Sequence, residues 1–436
     1  MHKDRCTISR IGLFRHGCRA TISFGLLCLV LITSSSAQEL VRTSARLLPI
    51  ESFRRSPEAF FYLGPLQEVL TGTAGVQYTD NVNLTATDKI SDLSFSLGLG
   101  LNTTWVISHL NQLQFNFGGA VTENFYGNGR NQVTFAVDPN SKIEFKFEVG
   151  EFLVRLYDDF SYVQNPATDP TATNTANLNS FTNTIGAAVD ADLNIAVLTL
   201  LGDYSYNTQS GTTVQGQANP TTTGTRETFR LGPSLTFRLS PTILYGLNAT
   251  ATRSTGTDAA NVNSLNFGPF INGNLSKEFE FDLSGGLSLI DTKPSIAPTY
   301  YFSLAIRYQI NPHWQLIFSG SHDLVFTTGT DLTEETLFKV GTQLGLTRWI
   351  TFTVSPFINF GEVKTTDLGV INSVSQGNYT QFGIAAGLDW KLRKRWSTSL
   401  SYNFVRRESG ATIGTGTTSS NNYIQNTLAL SLSYSF

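Results

Sequence analysis

From about residue 66 onward the chain is patterned in twos. Leu93, Phe95, Leu97, Leu99 and Leu101 alternate with Ser94, Ser96, Gly98, Gly100 and Asn102, which predicts a strand with one apolar and one small or polar face. Phe279, Phe281, Leu283, Leu287 and Leu289 stand in the same way against Glu278, Glu280, Asp282 and Ser288. Tyr300, Phe302, Leu304, Ile306, Tyr308 and Ile310 stand against Ser303, Ala305, Arg307 and Gln309. Helical spacing is almost wholly missing after residue 65, so the fold class is all-β. Carboxylates and guanidinium groups in mid-strand are tolerated only where the second face meets water. The pattern therefore predicts a transmembrane antiparallel up-and-down β-barrel, greasy outside and wet inside.

Turn residues fix the count. Short turns are expected at His109 to Gln112, Gly150-Glu151, Asp192 to Asn194, Ser240 to Thr242, Lys277-Glu278, Asn311 to His313, Thr347-Arg348 and Leu392 to Arg395. Longer polar stretches lie between them: Gln164 to Ser180, Thr208 to Thr225, Lys364 to Asn378 and Ser409 to Asn422. Short turns on one side and long loops on the other are the asymmetry of bacterial barrels. Counting from a first strand near Val69 to Thr79 gives about 18 strands, with 16 to 20 open to an error of one hairpin, and both ends on the short-turn side. Gln132 to Val149 contains Asp138-Pro139-Asn140-Ser141 and is read as one bulged strand, because splitting it reverses every later turn. Trp105, Trp314, Trp349, Trp390 and Trp396 each fall near an expected short turn, where an amphipathic ring sits at the headgroup level.

Both termini agree with this address. Lys3, Arg5, Arg10, Arg15 and Arg19 precede an apolar run from Ile22 to Ile32, followed by Ser35-Ser36-Ala37. That is the layout of a cleaved signal peptide, and the run is too short to span a bilayer core of roughly 20 apolar residues. The expected division is 1–37 signal peptide, 38–65 N-terminal periplasmic extension and 66–436 barrel. At the other end Leu428, Leu430, Leu432, Tyr434 and Phe436 alternate with small residues. This resembles the C-terminal signal read by the outer-membrane assembly machinery of Gram-negative bacteria, with Leu432, Tyr434 and Phe436 as its core, and it implies the cell outer membrane.

Removing the leader changes composition. Cys6, Cys18 and Cys28 are lost, leaving no thiol for a disulfide or metal site. The 30 basic and 33 acidic residues become 25 and 32, a net charge of −7. That excess argues against nucleic acid as a partner and leans faintly towards cations in a pore. Charged residues make up only 14 % of the chain, but 12 % aromatics separate it from a disordered polymer.

Candidate chemistry is sparse. His322 lies beside Asp323, but successive strand residues point to opposite faces, so the two do not cooperate. No Gly-x-Ser-x-Gly turn, phosphate loop, haem motif or metal-ligand spacing appears, and Asp80 and Asp88 in the first loop read as ordinary solvated acids. The expectation is no enzyme, no catalytic residue, no cofactor and no metal. Alternation assigns Lys142, Glu144, Lys146, Glu148, Arg230, Arg238, Glu278, Glu280, Asp282, Arg307, Asp389 and Lys391 to the lumen. There they either set up a transverse field across a constriction or pair along the wall.

Thr71 to Val82 runs as a strand into Tyr78-Thr79-Asp80-Asn81. This resembles the opening strand of an outer-membrane β-barrel porin family of Gram-negative bacteria, of the beta-barrel porin 2 type. The resemblance covers nearly all of the mature chain. It implies a porin-class barrel in contact with outer-membrane lipid and lends no substrate; the first expectation is a channel passing small hydrophilic solutes, with a homo-oligomer also compatible. By likeness to general porins, the stretch Gln164 to Ser180 folds inward and offers Asp169 to the constriction; the alternative is an ordinary surface loop. The alternatives are a barrel for surface-polysaccharide export or assembly, and a structural or adhesive surface protein using its Thr/Asn-rich loops.

Overall fold

The structure, a computed structural model, describes residues 59–129, 131–165, 175–213, 222–256, 261–291, 296–326, 332–364, 378–409 and 422–436. Strands follow in the order β1 (Phe61–Leu63), β2 (Leu66–Thr79), β3 (Asp92–Ser108), β4 (Asn111–Tyr126), β5 (Asn131–Val149) and β6 (Phe152–Asn165). The chain continues with β7 (Thr175–Asp192), β8 (Ala196–Thr213), β9 (Thr222–Ser240), β10 (Ile243–Gly256), β11 (Val262–Asn274) and β12 (Phe279–Asp291). It ends with β13 (Ile296–Asn311), β14 (Trp314–Phe326), β15 (Leu332–Gly345), β16 (Ile350–Lys364), β17 (Asn378–Lys391), β18 (Trp396–Ser409) and β19 (Tyr423–Ser435). From β2 to β19 each strand pairs antiparallel with the next, and β19 pairs back with β2 from Thr427↔Thr79 to Ser435↔Thr71. The sheet is thus a closed barrel of 18 long strands, as the alternation implied.

Closure is the solution that leaves no lipid-facing backbone group unpaired. The seam shows how completely it is met. β19 covers β2 only down to Thr71, and below it β1 takes over the same strand, pairing Phe61↔Glu68 to Leu63↔Leu66. The two fillers meet where the Phe60 and Phe436 rings stand edge to face at 6.4 Å, and the Phe436 N–H donates to Leu70 O at 3.0 Å. Part of the expected periplasmic extension is therefore built into the wall.

Each expected short turn joins two strands, and Gln132 to Val149 is one strand whose register shifts between Val137 and Ser141. Asp138 Oδ1 accepts the Asn140 N–H at 2.7 Å there, and Ser141 Oγ accepts the Gly118 N–H at 3.2 Å. Two of the long stretches are shorter than expected, because β6 runs to Asn165, β7 starts at Thr175, β8 runs to Thr213 and β9 starts at Thr222. Ladder hydrogen bonds extended those strands past the point where their side chains stop alternating. Asp169 and residues 1–37 lie outside the described residues.

The two faces differ as the sequence requires. Phe95, Leu97, Leu99, Leu247, Leu287 and Leu430 are exposed, while Ser94, Thr199, Thr236, Ser254, Ser288 and Thr333 on the other face are buried. All five tryptophans lie on the apolar face or in a short turn, 38–46 % exposed. A strand of 14 residues at ~3.3 Å per residue, tilted about 40°, rises about 35 Å, more than an apolar band about 25 Å tall requires.

A crease crosses β9 to β13. The β11–β12 ladder is interrupted over Gly268-Pro269 and Gly285-Gly286 and then resumes in the same register. The β9–β10 ladder is interrupted beside Pro233. Neither proline has an N–H to give. The backbones approach so closely that a Cβ on Gly268 would land on Gly285 O, and one on Gly286 on Phe267 O. Tyr301, opposite Gly286, reaches over both glycines and donates from its OH to Asn248 Oδ1 at 3.0 Å, three strands away. A side chain can shorten that path only on the concave side of a curved wall. The polar face is therefore the lumen.

Candidate functional site

The lumen wall from β5 to β9 carries most of the described ion pairs. Lys142 Nζ lies 3.7 Å from Asp159, Lys146 Nζ 3.4 Å from Glu144, and Arg155 3.1 Å from Asp190. Asp190 also accepts from Thr199 Oγ1 at 2.6 Å. Arg230 gives Asp203 Oδ2 two hydrogen bonds, from Nε at 2.8 Å and from a terminal nitrogen at 2.6 Å. The Tyr157 OH donates to the same oxygen at 3.3 Å. Tyr157 gets there by lying across Gly186, which sits between it and Asp203 in the register. The same device recurs on the other side of the barrel, where Tyr379 lies across Gly361 and donates to Glu335. In both cases glycine leaves room for an aromatic ring to bridge three strands, which stiffens the wall.

Of the residues assigned to the lumen, Lys142, Glu144, Lys146, Glu148, Arg230, Arg238, Glu280, Asp282, Arg307, Asp389 and Lys391 occupy the polar face of their strands. Glu278 does not. It belongs to the turn before β12, where it accepts from Ser276 Oγ at 2.8 Å, because that strand begins only at Phe279. Arg307 pairs with Glu280 across the β12–β13 ladder. Acids and bases are interleaved on the same wall as neighbouring pairs, so much of their field cancels locally. Alternation did not single out the partners Arg155, Asp159, Asp190 and Asp203, although their positions on the polar face were legible.

Removing one partner of the Arg230–Asp203 pair has a clear expected cost. The Asp203 side chain is 3 % exposed, so Arg230→Met leaves a buried carboxylate uncompensated and lowers stability by about 3 kcal/mol. Urea titration of the refolded barrel, followed by tryptophan fluorescence, measures it. An unchanged midpoint counts against the pairing.

Among the described residues, the first loop, residues 80–91, folds into the lumen. Asn81, Val82, Asn83 and Leu84 are all buried, and Leu84 packs with Val405, Tyr423 and Phe357 from β18, β19 and β16, all on the polar face. Leu84 has φ +50°, a left-handed backbone that a branched residue adopts at a cost of about 1–2 kcal/mol. Two asparagines hold it there. Asn81 Nδ2 donates to Thr85 O at 2.8 Å and to Ile424 O at 2.9 Å, and Asn81 O accepts from Gln425 Nε2 at 2.9 Å. Asn83 Nδ2 donates to Asp88 O at 3.0 Å, and Asn83 Oδ1 accepts the Ile90 N–H at 2.9 Å. The Asp80 carboxylate accepts from the Asn426 backbone at 2.7 Å and from its Nδ2 at 2.6 Å. The Asp80-Asn81 motif thus clamps the loop to the last strand across the seam. Apolar Val82 and Leu84, set between asparagines in a mostly polar loop, were the signal for this intrusion.

His322 lies on the apolar face, stacked on Tyr300 at 4.2 Å, with Nε2 3.0 Å from Glu334 and Nδ1 2.7 Å from Thr336. Asp323 faces the other way, as the alternation required. Among the described residues no group of three His, Cys, Asp or Glu side chains is placed to hold a metal ion.

No protein-family model matches the sequence, and no curated protein matches it. Solved structures with a similar course include OccK7 (OpdD) of Pseudomonas aeruginosa, at 8 % identity and TM-score 0.48, covering 86 % of this chain and 99 % of that one. OccAB3 of Acinetobacter baumannii is similar at 12 % identity and TM-score 0.47, covering 85 % and 99 %. The siderophore receptor PirA of Pseudomonas aeruginosa follows at 10 % identity and TM-score 0.43, covering 84 % and 80 %. The barrel assignment rests on the strand pairings above.

Proposed function

We propose that the mature chain is an outer-membrane channel for passive diffusion of small hydrophilic solutes, narrowed at the long-loop end by its first loop. One observation carries this reading. An 18-strand closed barrel presents an exposed apolar belt outside and a charged, hydrogen-bonding wall inside, a division useful only where lipid lies on one side and water on the other. The tryptophan ring at the short turns fits the periplasmic headgroup level and sets the orientation, with the first loop at the cell surface. The lumen residues above line the path, and Leu432, Tyr434 and Phe436 supply the assembly signal. Asp169 is a further proposed lumen contact.

The mature protein, refolded and added to a planar lipid bilayer, is expected to insert in steps of constant ohmic conductance with weak preference for cations, following its net acidic charge. A barrel that inserts but never conducts removes the channel reading and leaves the fold intact.

A further inference from the structure

Several cations on the strands sit against a carboxylate: Arg155, Arg230, Arg307 and Arg406 each hold one. Two turns at the short-turn end differ from these. Arg348, in the turn between β15 and β16, and Arg393, Lys394 and Arg395, in the turn between β17 and β18, are exposed and make no ion pair among the described residues. Four positive charges thus stand together, since the turns are neighbours: Ile350 pairs with Trp390, and the Lys391 N–H donates to Trp349 O at 2.8 Å. They concentrate positive potential at one place on the rim.

An aromatic shelf lies along the same arc. Trp349, Trp390 and Trp396 are three of the five tryptophans, and each is about two-fifths exposed. Trp396 packs on Tyr434 at 4.6 Å, Tyr434 on Phe436 at 4.9 Å, and the Arg348 guanidinium lies 4.8 Å from the Trp349 ring centre. Rings of this kind settle at the boundary between acyl chains and headgroups. Cations in the turns just beyond them are therefore held at phosphate level. Asp389, the nearest acidic side chain on these strands, lies on the polar face, and neither it nor the carboxylate of Phe436, beside Arg395 in the ladder, makes an ion pair with them among the described residues.

We propose that these two turns form a binding site for the headgroup of an anionic phospholipid in the periplasmic leaflet. The phosphate sits among Arg348, Arg393, Lys394 and Arg395, and the acyl chains lie against Trp349, Trp390 and Trp396. The proposal rests on the membrane-spanning reading and adds a preferred lipid to it. Arginine's planar fork suits a phosphate, and each cation near an anionic surface contributes about 1 kcal/mol, roughly fivefold in affinity.

The test uses the whole mature protein in phosphatidylcholine bilayers containing a minority of brominated lipid, which quenches tryptophan on contact. Brominated phosphatidylglycerol is expected to quench well beyond the same amount of brominated phosphatidylcholine. The excess is expected to vanish in the triple variant Arg393→Gln, Lys394→Gln, Arg395→Gln, whose lipid affinity falls on the order of a hundredfold. Unchanged heat-modifiable migration on gels shows that the variant has folded. Equal quenching by the two lipids overturns the proposal, as does an excess that survives in the folded variant. A patch that docks an acidic protein instead gives the first of these results. Failure of both lipids to quench sinks the membrane reading itself.

Discussion

Leu84→Gly is expected to raise single-channel conductance severalfold while leaving the barrel folded. The substitution isolates one effect. At φ +50° glycine is more comfortable than leucine, so the turn keeps its shape and the hydrogen bonds of Asn81 and Asn83 survive. What disappears is the side chain wedged among Val405, Tyr423 and Phe357. Stability moves in two directions: relief of backbone strain offsets part of the roughly 2–5 kcal/mol that loss of a buried leucine costs. Conductance responds to open cross-section, and the gain is measured in planar bilayers beside wild type. Asn81→Ala supplies the complementary case, because it leaves Leu84 in place but removes the clamp to Ile424. That variant is expected to show a noisier, fluctuating current as the loop loses its seat. If Leu84→Gly conducts like wild type, the first loop does not limit the pore, and the stretch around Asp169 becomes the better candidate.

Gly268→Val is expected to prevent barrel formation. Most glycines here tolerate a methyl group at moderate cost, since they meet flexible side chains. Gly268 meets backbone on the facing strand, with the Gly285 carbonyl and the Gly286 Cα both in the path of any Cβ, and backbone cannot rotate away. A branched residue forces β11 and β12 apart in the middle of a closed cylinder, where neighbouring strands have no free edge to absorb the shift. A loss exceeding about 4 kcal/mol is anticipated, read as absence of the heat-modifiable band after refolding into detergent. Gly224→Val is the control, because a Cβ there meets nothing. Equal folding yields for the two variants would show that the crease is not close-packed.

How much of this was readable in the sequence depends on the range of the interaction. Alternation is local, so Leu93 to Leu101 announced their faces without any partner. The run through Asp138-Pro139 was kept as one strand because turn parity constrains it. Pairing partners are not local. Arg230 was assigned to the polar face, yet nothing in its neighbourhood pointed to Asp203, which becomes adjacent only when β8 lies beside β9. Tyr78-Thr79-Asp80-Asn81 stood out as a resemblance, but its physical work is done against Ile424, Gln425 and Asn426, and that contact exists only in a closed barrel. Nothing in the local sequence sets Gly268 and Gly286 apart from the other strand glycines. Their necessity comes from curvature, which a linear pattern does not encode.

The short arm Phe61–Leu63, folded back on the foot of β2, has a bearing on how the cylinder shuts. A one-residue slip of the last strand is forbidden because it turns every leucine inward. A slip of two residues keeps each side chain on its proper face, so hydrophobicity alone does not reject it. The arm does: it occupies the rungs into which the tail would slide, and Phe60 stops the terminal ring like a doorstop. Delivery of the final strand from the far end of the polypeptide is thereby given a mechanical endpoint in one direction.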